Sequence, residues 1–185
     1  MFYLLEGVLS KWRYIKVADI TKERKAILEI GCGKKASFLR SLIDLPDKKL
    51  IGIEPQFNQK YFKLGNLTLI KEDLTDKINL ADNSVDCVIM LAVLEHLDYP
   101  QEIINEIYRI LKFKGIICLT TPTFSAKKII EFLSFLRLID PQMVAQHKRY
   151  FNKNILEGMA QQAGFNKTKH RYFQLGLNNF LIAYK

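Results

Sequence analysis

The chain has 185 residues, 49% hydrophobic and 25% charged, which suits one globular domain with a substantial core; no internal repeat, low-complexity tract or Gly/Pro/Ser-rich linker divides it. Its net charge of +9 implies attraction to something anionic, such as nucleic acid, acidic lipid headgroups or a phosphorylated small substrate. No block of five or six like charges occurs, so a lysine-rich surface accounts for the charge equally well. Residues 2–16 carry Leu4, Leu5, Val8, Leu9 and Trp12 on one face of an amphipathic helix, with Lys11, Arg13 and Lys16 on others. Ala26–Ile30 then reads as a buried strand running into Gly31 and Gly33, and Ala36–Leu45 as a helix. Further strands are expected at Lys49–Ile53, Leu67–Lys71, Asp86–Leu91 and Gly115–Thr120, with helices at Gln56–Leu64 and Gln101–Lys112. Within 122–150, the apolar residues from Ile129 to Ile139 predict a helix of about fourteen residues, too short to cross a bilayer. Lys153–Ala163 forms the last helix, ended by Gly164, and Asn166–Gln174 with Asn178–Tyr184 forms an antiparallel hairpin.

Strands alternating with helices mean a mostly parallel sheet covered on both faces. The expected fold is therefore α/β: one domain over 1–185 with a doubly wound, seven-stranded, mostly parallel sheet and a C-terminal antiparallel hairpin. Residues 1–25 form an N-terminal helical cap and 122–150 a helical insertion or lid. The three cysteines, Cys32, Cys87 and Cys118, are scattered without a CxxC pair, which argues against a disulfide framework or structural zinc. That usage and the missing signal-peptide pattern predict a cytoplasmic location. Lipid contact through 2–16 or 126–139 would add membrane association.

In a doubly wound sheet the ligand sits beyond the carboxyl ends of the strands, so three strand ends matter together. Glu29-x-Gly31-x-Gly33 closes the first strand, where a carboxylate within an apolar strand is costly unless it meets a hydrogen bond or a polar ligand. Glu54 ends the second, before Pro55, and its spacing from Gly31 suits a carboxylate gripping two ribose hydroxyls. Asp73 ends the third, where it can accept from an adenine amino group while Leu74 donates its N–H. Met90-Leu91-Ala92-Val93-Leu94-Glu95-His96 follows within and after the fourth.

From about Ala26 to Lys185 this set resembles the class I S-adenosylmethionine-dependent methyltransferases, in their Rossmann-like, small-molecule branch. The resemblance implies S-adenosyl-L-methionine as cofactor. It places the Glu29, Gly31, Cys32 and Gly33 turn at the methionine part, Glu54 and Pro55 at the ribose, Asp73 and Leu74 at the adenine, and the backbone around Leu91 at the methionine amino group. One departure is Lys35, where family members often have a third glycine. A lysine there can pair with the cofactor carboxylate or swing outward into water. Gly31-x-Gly33-x-x-Ala36 also fits a nicotinamide fingerprint, and Tyr108 with Lys112 suggests a dehydrogenase pair, but that pair precedes the fifth strand. Glu29 and the terminal hairpin favour methyl transfer.

His147, beside Lys148 and Arg149, is the first candidate for a general base, while Glu95 and His96 are expected to shape the site. No Asn/Asp-Pro-Pro-Tyr tetrapeptide of nitrogen-directed enzymes occurs, which argues against DNA amino-methylation and more weakly against glutamine modification; the expected acceptor atom is an oxygen. The expected partner is a small amphipathic or anionic molecule such as a lipid-linked sugar or prenylated ring compound. An RNA acceptor is a second reading supported by charge alone, and a non-catalytic cofactor-binding subunit a third. No metal site is expected.

Overall fold

The computed structural model describes residues 4–136, 138 and 148–185. Eight strands alternate with five helices among them: α1 (Leu4–Thr21), β1 (Ala26–Ile30), α2 (Ser37–Arg40), β2 (Lys49–Ile53), β3 (Tyr61–Leu64), β4 (Leu67–Ile70), β5 (Val85–Leu91), α3 (Pro100–Ile110), β6 (Leu111–Pro122), α4 (Ala126–Phe135), α5 (Lys153–Ala163), β7 (Lys167–Phe173) and β8 (Asn178–Tyr184). They form one sheet in the order β3-β4-β2-β1-β5-β6-β8-β7. β4, β2, β1, β5 and β6 are parallel, and β3 and β8 run against their neighbours. The doubly wound class holds, with one strand more than the seven expected.

The extra strand is β3, which replaces the helix expected over Gln56–Leu64. Gly65 takes a left-handed φ of 57°, and with Asn66 it makes a two-residue turn that pairs Leu64 with Leu67. Aromatic Tyr61 and Phe62 favour a pleated edge over a helix surface. The Gly-Asn pair between two short apolar runs was the readable signal for this hairpin.

Period two sends successive β1 side chains to opposite faces. Leu28 and Ile30 join Val88, Met90 and the α3 stripe of Ile103, Ile104, Ile107 and Ile110 in one core. Ile27 joins Leu50, Cys87, Ile89, Phe38 and Val17 in the other. Pro100 opens α3, where its missing N–H is harmless. Asn152 caps α5 by accepting from the Ile155 N–H at 2.9 Å, and Gly164 closes it at φ 104°.

α1 extends five residues past the expected end, and Lys48 explains its fixed terminus. The buried ammonium donates to the carbonyls of Thr21, Lys22 and Arg24 at 3.1, 2.9 and 2.8 Å, so all three donors are satisfied. α2 is shorter than the Ala36–Leu45 helix expected. Among the described residues no helix is long and apolar enough to cross a membrane.

The chain moves outward from β1 to β2 and β4, then returns to β5 on the other side of β1. That reversal opens a crevice beyond the carboxyl ends of β1 and β5. Truncating Ile107, fully buried in α3 against the sheet, tests the core that supports the strands. Ile107→Ala should cost about 2–5 kcal/mol, read as a lower urea midpoint at constant m-value.

Candidate functional site

The crevice holds a cavity of about 420 Å³ lined by Glu29, Gly31, Cys32, Gly33, Glu54, Pro55 and Leu91, together with Gln56, Ala92, Val93, His96 and, from α1, Ser10, Arg13 and Tyr14. Its floor is the turn after β1. Gly31 sits at φ 69° and Gly33 at φ 68°, which glycine alone adopts without strain. A Cβ on Gly31 would stand 2.3 Å from Val93 Cγ2, so this position also needs glycine for space.

The end of β2 holds the turn in place. Gly31 N–H donates to the Ile53 carbonyl at 2.8 Å, and Gly33 N–H donates to Glu54 Oε2 at 3.0 Å. Gln56 N–H donates to Glu54 Oε1 at 3.1 Å. A carboxylate has about four lone-pair sites, so Glu54 keeps acceptor capacity for two further donors.

Glu29 is 2% exposed, and its Oε2 has no hydrogen-bond partner. Burial pushes its carboxyl up to about 8, and the neighbouring Glu54 charge adds to the rise. The effect spreads. Burial and then Glu29 raise the Tyr14 phenol to about 12, and burial with the same carboxylates holds Cys32 far above the usual thiol range. Cys32 is a wall here, not a nucleophile.

S-adenosylmethionine fits these residues. Its sulfonium and ammonium groups are the counter-charges that an unpartnered buried carboxylate needs, and a ribose diol supplies the two donors that Glu54 can still accept. When bound, the cofactor supplies an electrophilic methyl carbon. Among the described residues, no group of three His, Cys, Asp or Glu could hold a metal ion.

Seven of the residues assigned to the cofactor from sequence meet at this wall, Glu29, Gly31, Cys32, Gly33, Glu54, Pro55 and Leu91, and His96, expected to shape the site, lines it too. Asp73 and Leu74 are not among the lining residues. Leu74 turns into the core with Ile78, which leaves Asp73 exposed in the irregular stretch after β4. Lys35 is exposed and stands off the lining, consistent with the outward swing. His147 lies outside the described residues. The α1 contribution went unread because Arg13 and Tyr14 look like the solvent face of an amphipathic helix; only the tertiary fold shows that this helix seals the cavity.

A seven-residue meeting of strand ends, a glycine turn and paired carboxylates in a doubly wound sheet defines a nucleoside-cofactor enzyme. The family model described as a methyltransferase domain matches residues 6–170, and the chain belongs to that family. It is an S-adenosylmethionine-dependent methyltransferase with the Rossmann-like class I fold. A tRNA U34 carboxymethyltransferase of Helicobacter pylori is 28% identical over 170 residues, covering 84% of this chain. The chain spans 61% of the length of that relative. A methyltransferase of Archaeoglobus fulgidus shares the fold at TM-score 0.70 and 19% identity, covering 96% of this chain and 93% of that one. A Haloferax volcanii methyltransferase in complex with the activator Trm112 does so at 0.72 and 15%, covering 97% and 92%.

Two measurements check the site. Glu54→Ala should weaken S-adenosylmethionine binding by about 1.5–3 kcal/mol in calorimetric titration, the worth of hydrogen bonds to a charged group. The second is a pH series. Glu29 binds its proton more tightly in the folded, ligand-free protein than in the unfolded chain, so it favours the fold at low pH and loses that contribution as pH rises through about 8. A cationic ligand favours the ionised form, so affinity should climb by up to about tenfold per pH unit toward pH 8 and level off above it. Glu29→Gln should remove that slope while retaining the slope of the ligand's own amino group.

Proposed function

We propose that the chain transfers the methyl group of S-adenosylmethionine to an oxygen of a small acceptor with apolar and anionic parts, such as a lipid-linked sugar or prenylated ring compound. The observation that carries this reading is the surface beyond β6. There Phe124, Ile129, Phe132, Phe135 and Leu136 are exposed at 55%, 44%, 60%, 82% and 48%, with Lys127 and Lys128 exposed among them. Aliphatic and aromatic groups interleaved with ammonium groups suit an amphipathic anion.

In this reading Glu29 and the glycine turn hold the methionine end and Glu54 the ribose, while Arg13 and Tyr14 close the cavity from above. Holding the acceptor oxygen in line with the methyl carbon supplies most of the acceleration. His96, on the wall at the end of β5, accepts the acceptor proton. Glu95, the preceding residue, is 1% exposed, and burial raises its carboxyl to about 7.

The net charge and the relatives named for tRNA modification favour a second reading, an RNA acceptor. Radiolabelled methyl transfer separates the two. Transfer to polyprenyl-linked sugars, with weak and salt-insensitive binding of a tRNA pool, is expected; transfer to tRNA with an affinity falling steeply in salt would replace the first reading by the second. His96→Asn should lower kcat by about a hundredfold or more and leave cofactor affinity unchanged.

A further inference from the structure

Three elements at the cavity end of the sheet expose apolar side chains, and hydrogen bonds join them into one surface. On α1, Val8, Trp12 and Ile15 fall at helical spacing on one outward stripe, exposed at 58%, 41% and 69%, with exposed Lys11 and Lys16 on either side. The opposite side of the same helix buries Val17 and lines the cavity with Ser10, Arg13 and Tyr14. The β7–β8 turn comes next. Its Gln174 Nε2 donates to the Leu9 carbonyl of α1 at 3.1 Å, and its tip is Leu175, 94% exposed and held at a left-handed φ of 58°. From the other side Thr123 Oγ1 donates to the Gly176 carbonyl at 3.1 Å and Thr123 N–H to the Leu177 carbonyl at 3.0 Å, which ties the turn to the start of α4. α4 then presents Ile129, Phe132, Phe135 and Leu136 outward.

A leucine at a turn tip in a backbone conformation that disfavours it has no folding rationale. Two helices each exposing apolar stripes on either side of that tip make the arrangement a surface and not scattered single residues. We propose that this face docks on an anionic lipid bilayer, lying in the headgroup layer with Leu175 and the two helix stripes inserted. The lysines select this occupant. Lys11, Lys16, Lys127 and Lys128 border the apolar groups, where their stems can lie along the acyl boundary while the ammonium groups reach lipid phosphates. Glu6, Asp19 and Glu131 are the acidic residues of the same two helices, fewer than the four bordering lysines, so the balance is cationic. A nucleic acid could use the lysines and stack bases on the phenylalanines, but it would leave Leu175, Val8 and Ile15 in water. The inference shares α4 with the acceptor reading above but stands without it, because vesicle binding is measured with no acceptor present.

Trp12 is the one tryptophan of the chain and sits on the proposed face, so its emission reports docking directly. The full chain would be titrated with vesicles of phosphatidylcholine containing phosphatidylglycerol, and with phosphatidylcholine alone, reading Trp12 emission and flotation. Expected are a blue shift and flotation with the anionic vesicles, weakened by salt and by about tenfold or more in Phe132→Ser/Phe135→Ser and in Leu175→Ser. These positions are exposed, so the variants should keep the cofactor affinity of the parent, which confirms that they fold. No blue shift and no flotation at millimolar anionic lipid would overturn the proposal. So would self-association or co-purification with a protein that shields Trp12 without lipid, since the face would then be a protein interface. Vesicle binding with no transfer to lipid-linked acceptors would overturn the acceptor reading alone.

Discussion

Two carboxylates buried side by side at neighbouring strand ends are unfavourable on their own, and the cavity exists because the fold answers them unequally. Glu54 receives two backbone N–H groups, from Gly33 and Gln56, and through the first it fixes the glycine turn against β2. Glu29 keeps one oxygen unanswered, and its proton affinity rises accordingly. One carboxylate builds the site and the other waits for a cation. The unpartnered oxygen would be a defect in a purely structural strand, and it gives the cavity beside Gly31 its affinity for a cationic group in the proposed reading.

This division explains which parts of the molecule could be read from sequence. β1, its glycines and Glu54 were legible because each announces itself locally: an apolar run, residues that permit positive φ, and a carboxylate at a spacing set by one crossover. The α3 isoleucines and the α5 caps were legible for the same reason, since 3.6-residue periodicity and Asn/Gly punctuation are short-range signals. The strand β3 falls where strand–helix alternation leads one to expect a helix, although Gly65-Asn66 carries the turn chemistry that decides it. Propensity over four or five residues is weak, and the turn outweighs it.

Other features were invisible for a different reason. Nothing near Arg13 or Tyr14 in the chain says that α1 folds back over the cavity; Lys48, more than thirty residues on, fixes that geometry by holding the carbonyls of Thr21, Lys22 and Arg24. Likewise Asp73 stands at a suitable spacing, yet Leu74 beside it is drawn into the core, and burying the leucine turns the carboxylate outward.

α1 therefore carries two faces on one rigid rod. Its inner residues close the cofactor cavity and its outer stripe belongs to the surface assigned to lipid. A contact that orders the helix from outside lowers the conformational cost of closing it from inside, and the coupling is reciprocal, since a ligand gripped beneath α1 fixes the orientation of Trp12 and its neighbouring lysines. The helix is anchored at its carboxyl end by Lys48 and reaches the β7–β8 turn through Leu9 toward its amino end. The turn is itself tied to Thr123, so hydrogen bonds connect α1 to the start of α4 through the β7–β8 turn. The cavity lining from Ser10, Arg13 and Tyr14 and the exposed stripe of Val8, Trp12 and Ile15 are therefore the two sides of one helix.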